Sequence, residues 1–273
     1  MINELRRSLN AVNDMISQLE KSTLGDKLSR KIARLLLKEW DGVKTDTINA
    51  VIDEMRNTPD LQALGRAKEL LRKYAGAYGD KAAEQIDKPL YDIIAGVFDA
   101  DVMFGYSNSA AKAMTDVVKH SFSTKPAEFI DGFVKLIEDN ASSSQIVDHL
   151  RESLDVPELY RNGDFYYYQL SQHIGTTATA VHSVEKAELN GAKYLVVSAV
   201  MDERTSEICA ALNGTRIKID DAKSHCSKLF ATSPGEMNAV MPWPSVMNGA
   251  VVGLDKHCLP PYHFGCRTIV VQE

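Results

Sequence analysis

Between residues 26 and 40 the apolar positions Leu28, Ile32, Leu35, Leu36 and Trp40 recur at intervals of three and four. They form one stripe on a 3.6-residue period, with Lys27, Arg30, Lys31, Arg34 and Lys38 on the other faces. This predicts an amphipathic helix that packs through its stripe and leaves its basic face in water. The same period returns down the chain. Thr58-Pro59 reads as a helix start, an N-cap hydroxyl followed by proline where no N–H is needed, with Leu61, Leu64, Leu70 and Leu71 inward. Asp87 and Pro89 open another helix carrying Leu90, Ile93, Ile94 and Val97. Pro126 starts one with Phe129, Ile130, Phe133, Leu136 and Ile137 inward, and Ser143 or Ser144 caps the next, with Ile146, Val147 and Leu150. Residues 76–80, 105–109 and 121–125 read as connections. A last long helix is predicted from about 164 to 190, stopped by Asn190-Gly191.

After Gly191 the texture changes. Residues 194–200 are rich in β-branched side chains and read as a strand. Residues 216–219 form a short second strand behind the turn pair Asn213-Gly214, and residues 266–272 a third. The first and third are expected in one sheet. The segment between the second and third is rich in Gly, Pro, Ser, Met and Asn and reads as mostly loop. The fold class is therefore α+β: a mostly helical N-terminal part over 1–190 and a small C-terminal α+β domain over 191–273.

Composition narrows the class further. With 44% apolar and 25% charged residues, the chain is of globular rather than disordered character. No apolar run reaches the length of a membrane span, and no apolar h-region follows the first seven residues, so neither a membrane anchor nor a secretory signal is expected. The reading places synthesis in a cytoplasm, where stable disulfides are not the default. The net charge of −6 is uneven. Residues 1–73 hold 14 basic and 11 acidic residues, 74–190 hold 9 and 18, and 191–273 hold 8 of each. No segment has the positive excess of a dedicated duplex-DNA binder, so contact with DNA is expected to be weak or indirect.

Three places invite chemistry. Tyr166, Tyr167 and Tyr168 are consecutive and cannot share one helical face, so at least one is expected at the surface or at a partner contact. Cys209, Cys226, Cys258 and Cys266 all lie in the last 65 residues, joined by His225, His257 and His263. A loop-rich domain of this size benefits from a staple. His263 and Cys266, three apart, suit one knuckle of a structural zinc site that Cys209 and one of Cys226 or Cys258 would complete. Buried free thiols and disulfides formed outside the reducing cell are the other readings of the same residues. Lastly, Asp202-Glu203-Arg204-Thr205 directly follows the first strand and reads as a turn with a local ion pair. The sequence shows no phosphate loop, dinucleotide turn, His-Glu-x-x-His, deaminase signature or Gly-x-Ser-x-Gly elbow. An enzyme is not expected.

The C-terminal residues also form a pattern. A helix ends in Glu185-Lys186-Ala187-Glu188-Leu189-Asn190-Gly191-Ala192-Lys193, and a strand follows. Then come Asp202-Glu203-Arg204-Thr205-Ser206-Glu207-Ile208-Cys209-Ala210-Ala211-Leu212-Asn213-Gly214 and, near the end, Pro260-Pro261-Tyr262-His263-Phe264-Gly265-Cys266-Arg267-Thr268. This resembles the Mu F-like phage head morphogenesis family of minor capsid proteins, over about residues 183–273. Cys209, His263 and Cys266 match the family's pattern. Ser206 and Thr268 stand where the family has cysteines, and Asn213 where it has an acid. The resemblance implies a virion component, made in the host cytoplasm, that associates with the portal protein and with capsid or scaffold components during procapsid assembly. It also implies a role with packaged DNA at ejection. The competing reading is an enzyme or toxin-related protein, of nuclease or ADP-ribosyltransferase type, carrying a Mu F-like module.

Overall fold

A computed structural model describes residues 24–96, 106–134, 141–236, 245–247, 250–252 and 258–273. Helices come first: α1 (Leu24–Met55), α2 (Ala63–Ala95), α3 (Tyr106–Thr124), α4 (Pro126–Val134), α5 (Ser143–Ser153) and α6 (Arg161–Leu189). The rest is mixed: β1 (Tyr194–Ser198), α7 (Glu207–Leu212), β2 (Arg216–Lys218), α8 (Ile219–Ala231), β3 (Ser245–Met247), β4 (Ala250–Val252) and β5 (Ile269–Gln272). The fold is mostly helical with a small antiparallel sheet near the C-terminus, the α+β class read from the sequence. No helix among the described residues is long and apolar enough to cross a membrane.

Several helix boundaries differ from the periodic reading, each for a local reason. Residues 76–80 are not a connection, and Pro89 does not open a helix; both lie inside α2. Gly79 is there for close packing, because a Cβ at that position would overlap the Phe122 carbonyl oxygen of α3. Pro89 removes one amide from the helical ladder without ending it. Thr58 does not cap a following helix; its hydroxyl donates back to the Glu54 carbonyl at the end of α1. Leu61, expected inward, is fully exposed in the 3-10 turn Asp60–Gln62, and Ala63 and Ala67 join Leu70 and Leu71 inside instead. The connection at 121–125 shrinks to Lys125, and Tyr106 already begins α3 within the predicted 105–109 loop. The cap of α5 is Ser142, one residue earlier than expected. Its Oγ accepts from Gln145 N while Gln145 Oε1 accepts from Ser142 N, a reciprocal capping box. Ser143 turns its hydroxyl to the Thr58 carbonyl instead. Val97, Leu136 and Ile137, expected inward, lie outside the described residues, as does the side chain of Phe133.

The chain divides into two compact units. The described part of the first comprises 34–87, 118–134 and 141–168. Its core centres on Trp40 and Tyr167, both fully buried. The Phe122 ring stacks on Tyr167 at 4.3 Å, and Trp40 lies 5.6 Å from Phe129. Gly163 admits Trp40, since a Cβ there would sit 2.5 Å from the indole Cζ2. The indole Nε1 donates to Asp164 Oδ1 at 2.9 Å, which satisfies the one polar atom of a buried tryptophan.

The second unit comprises the described residues of 22–33, 88–117 and 169–273. Leu28, Ile32, Leu90, Ile94, Met114, Ile174 and Val181 form its helical core. Gly175 lets α6 approach the Ser29 side chain of α1 closely. Helix α6 ends in a Schellman arrangement: Gly191, at φ 69°, donates to the Glu188 carbonyl, and Ala192 donates to Ala187. The chain then reverses into β1. The sheet order is β2-β1-β5, antiparallel throughout, with Val196 opposite Arg216 on one side and Val271 on the other. The first and third predicted strands thus share one sheet, trimmed at their ends. Leu195, Val197, Ile217 and Val270 point to the buried face. The segment between β2 and β5, expected as loop, contains α8, which buries Ile219, Ala222, Cys226 and Leu229, and the hairpin β3–β4.

Candidate functional site

The second unit gathers the sequence motifs at one point. After β1, residues 202–205 make a tight turn: Asp202 Oδ1 accepts from Arg204 N at 3.0 Å, and Thr205 Oγ1 accepts from Asp202 N at 2.7 Å. The ion pair expected within this turn is not local. Arg267, next to Cys266, donates to both Asp202 oxygens at 2.6 and 2.9 Å. This bidentate pair holds the Asp202 carboxyl down at about 2, Arg267 being the main cause. It ties the start of the first motif to the end of the second.

The turn delivers Ser206 as the N-cap of α7. Its Oγ accepts from the Cys209 amide at 3.2 Å, which sets Cys209 one turn into the helix on the same face. The second motif approaches through the cis Pro260–Pro261 bond. It then folds into a knuckle in which Cys266 N donates to the His263 carbonyl at 3.1 Å. Gly265 makes that knuckle possible at φ 79°, and the Gln169 side chain of α6 fills the space where a Cβ would go. Thr176 of α6 donates to the Cys266 carbonyl at 2.6 Å and anchors the knuckle from below.

The result is a cluster of Cys209, His263 and Cys266, whose ligand atoms all lie within 4.8 Å of one another. Cys209 Sγ stands 3.6 Å from Cys266 Sγ and 3.2 Å from His263 Nε2. His263 Nδ1 lies 3.0 Å from the Phe264 carbonyl, which can only accept, so Nδ1 carries a proton and Nε2 faces the sulfurs. Ser206 Oγ is 3.0 Å from the same Nε2. The Cys266 contact, helped by His263, Ser206 and Thr268, holds the Cys209 thiol far below the ordinary thiol range. Cys266 is pushed up, first by Cys209 and then by burial. His263 is raised, chiefly by Cys209. Cys209 is therefore the more acidic thiol of the pair.

The other sequence candidates sit elsewhere. Neither Cys226 nor Cys258 belongs to the group of converging ligand atoms. Cys226 is buried in α8, and burial, then Glu185, pushes its thiol up to about 12. Cys258 Sγ lies 3.8 Å from His225 Nε2. All four cysteines are free thiols. In the first unit, Tyr167 is fully buried, while Tyr166 and Tyr168 are half-buried. Tyr166 donates to, or accepts from, Ser121 Oγ at 3.1 Å. The aromatic side chain turned to solvent at this end of α6 is Phe165, 58% exposed. Three residues around the cluster have roles that the sequence does not show: Ser206 and Thr268, read there only as replacements for the family's cysteines, are polar neighbours of Cys209, and Thr176 is a support. Only the spacing of Ser206 and Cys209, the same as in a two-cysteine knuckle, signals the first of them.

Comparison with known families matches residues 145–271 to the model described as phage Mu protein F like protein. The match begins near the start of α5, so it takes in all of α6 as well as the sheet and the cluster, further towards the N-terminus than the motifs alone reach. Searches among curated proteins and among solved structures give no match. The two motifs, the sheet that joins them and the family match agree: over residues 145–271 the chain is similar to the phage Mu protein F like family, as the motif residues suggested.

Proposed function

We propose that this protein is a minor capsid component that docks on the portal ring while the procapsid assembles, and that capsid or scaffold subunits are its further neighbours. The observation that carries this is the family match over 145–271, a span that includes the whole of α6 and the C-terminal sheet. The role is one of assembly rather than catalysis. The helical part supplies the docking surface. At the start of α6, exposed Phe165 and the half-buried rims of Tyr166 and Tyr168 offer an aromatic contact, whereas Tyr167 is engaged in the core. Packaged DNA is touched weakly, because the chain's net charge is −6 and counterion release favours basic surfaces.

The test is co-sedimentation of the full chain with its assembled portal ring at near-physiological salt. Retention on the ring, reduced by Phe165→Asp, is the expected result. A folded chain that ignores an assembled ring under these conditions overturns the reading. In a parallel filter-binding assay, duplex DNA should be held at low salt only and released as ionic strength rises.

A further inference from the structure

We infer that Cys209, His263 and Cys266 form a zinc site with three protein ligands and an oxygen-filled fourth corner at Ser206. This inference stands apart from the docking role and does not depend on it. Around a tetrahedral zinc ion, bond lengths of about 2.3 Å to sulfur and about 2.0–2.1 Å to nitrogen set two sulfurs about 3.8 Å apart and sulfur and nitrogen about 3.5 Å apart. The observed separations are 3.6 Å and 3.2 Å. Cys209 therefore stands within a few tenths of an ångström of the tetrahedral edge length from each of its two partners before any ion arrives, and Cys266 and His263 lie within 4.8 Å of each other.

Each donor is also fixed from behind. The Phe264 carbonyl accepts a hydrogen bond from Nδ1–H of His263 and leaves the Nε2 lone pair to coordinate, the arrangement that orients metal-bound imidazole. The Cys209 amide is capped by Ser206, and the Cys266 carbonyl is held by Thr176. Two thiolates balance the charge of Zn²⁺, so the buried site becomes neutral on loading, and the thiol protons displaced by the ion pass to solvent.

The fourth corner is where this chain departs from a closed structural site. Cys226 and Cys258 do not converge on it. Ser206 Oγ does, 3.0 Å from His263 Nε2, at the position of the first residue of a two-cysteine knuckle. A cavity of about 20 Å³, bordered by Ser206, Cys209, His263 and Thr268, opens beside it with room for one water-sized ligand. The fourth ligand is thus oxygen, from Ser206 or from one water. Mechanically, the ion links the start of α7 to the knuckle that leads into β5, across the long excursion between Cys209 and Cys266.

The experiment uses the full chain, purified under reducing conditions, stripped with a chelator and titrated with Zn²⁺ against a chromophoric competitor. We expect one equivalent bound per chain. Co²⁺ in its place should show the absorption of a tetrahedral thiolate site. Cys209→Ser and Cys266→Ser should lose the ion, while Cys226→Ser and Cys258→Ser keep it. Ser206→Cys should tighten binding by about 10-fold or more, since it replaces oxygen with thiolate. That variant adds a ligand, so it decides the matter even if removing a cysteine unfolds the chain. No zinc uptake by the reduced chain overturns the proposal. So does a Cys209–Cys266 disulfide in its place, equal loss of binding in Cys226→Ser or Cys258→Ser, or unchanged affinity in Ser206→Cys.

Discussion

Single residues in this protein hold geometry that their neighbours in sequence do not explain. Gly265 sits at φ 79° between the two knuckle residues, and the Gln169 side chain occupies the place of its missing Cβ. Gly265→Ala should therefore cost about 1–3 kcal/mol, mostly as backbone strain, because the glutamine can shift and the dihedral cannot. Chemical denaturation of the two proteins checks this, and equal midpoints would refute it. His173 of α6, packed 6.0 Å from the Phe264 ring, is the other telling case. Burial pushes its pKa down to about 4. Above pH 6.5 the ring is neutral in both the folded and the unfolded chain and has no effect on their balance. As pH falls from 6.5 towards 4, the unfolded chain takes up the proton first, so stability drops, and below 4 the loss is constant. His173 as a whole is half-buried, so the loss should be no more than about 3 kcal/mol. His173→Gln should flatten the stability profile between pH 6.5 and 4 relative to the parent. An unchanged difference across that window would count against the assignment.

Among the elements, ends and interruptions matter more than interiors. Helix α5 starts on the capping box of Ser142 and Gln145. Ser142→Ala should lower stability by about 1 kcal/mol, and Ser144→Ala, one step inside the helix, should change little. Thermal melts of both, side by side, test the cap against simple loss of a serine. Helix α2 runs through Pro89, where one amide is missing from the ladder. Packing of Ile86, Leu90 and Ile94 on the core carries the helix across the defect. Pro89→Ala should restore the hydrogen bond and raise the melting temperature, by an amount corresponding to roughly 1–3 kcal/mol. A lower melting temperature would mean that the proline's bend is needed for packing.

For the whole molecule, the periodic stripes were enough to read a helical chain turning into strands after Gly191, because amphipathic spacing and β-branched runs are local signals. Leu28, Ile32, Leu36 and Trp40 are buried, as their stripe required. The Asn190-Gly191 stop and the pairing of the first and last long strands were likewise legible. What misled the reading was glycine and proline. Gly76 and Gly79 look like punctuation in a one-dimensional pattern, but Gly79 serves a close approach to Phe122, more than forty positions away in the chain. The tyrosine run showed the same limit: periodicity says that three faces are used, and only the packing of Trp40, Phe122 and Phe129 selects Tyr167 for the core. The sequence determined the α+β class, the motif residues and the family resemblance, since each depends on residue type at short spacing. The tertiary structure alone decided which cysteines meet. Antiparallel pairing of β1 with β5 brings Cys209 beside His263 and Cys266 and leaves Cys226 and Cys258 elsewhere, and no local spacing encodes a choice made by strand register and by the side chains of α6 beneath the knuckle.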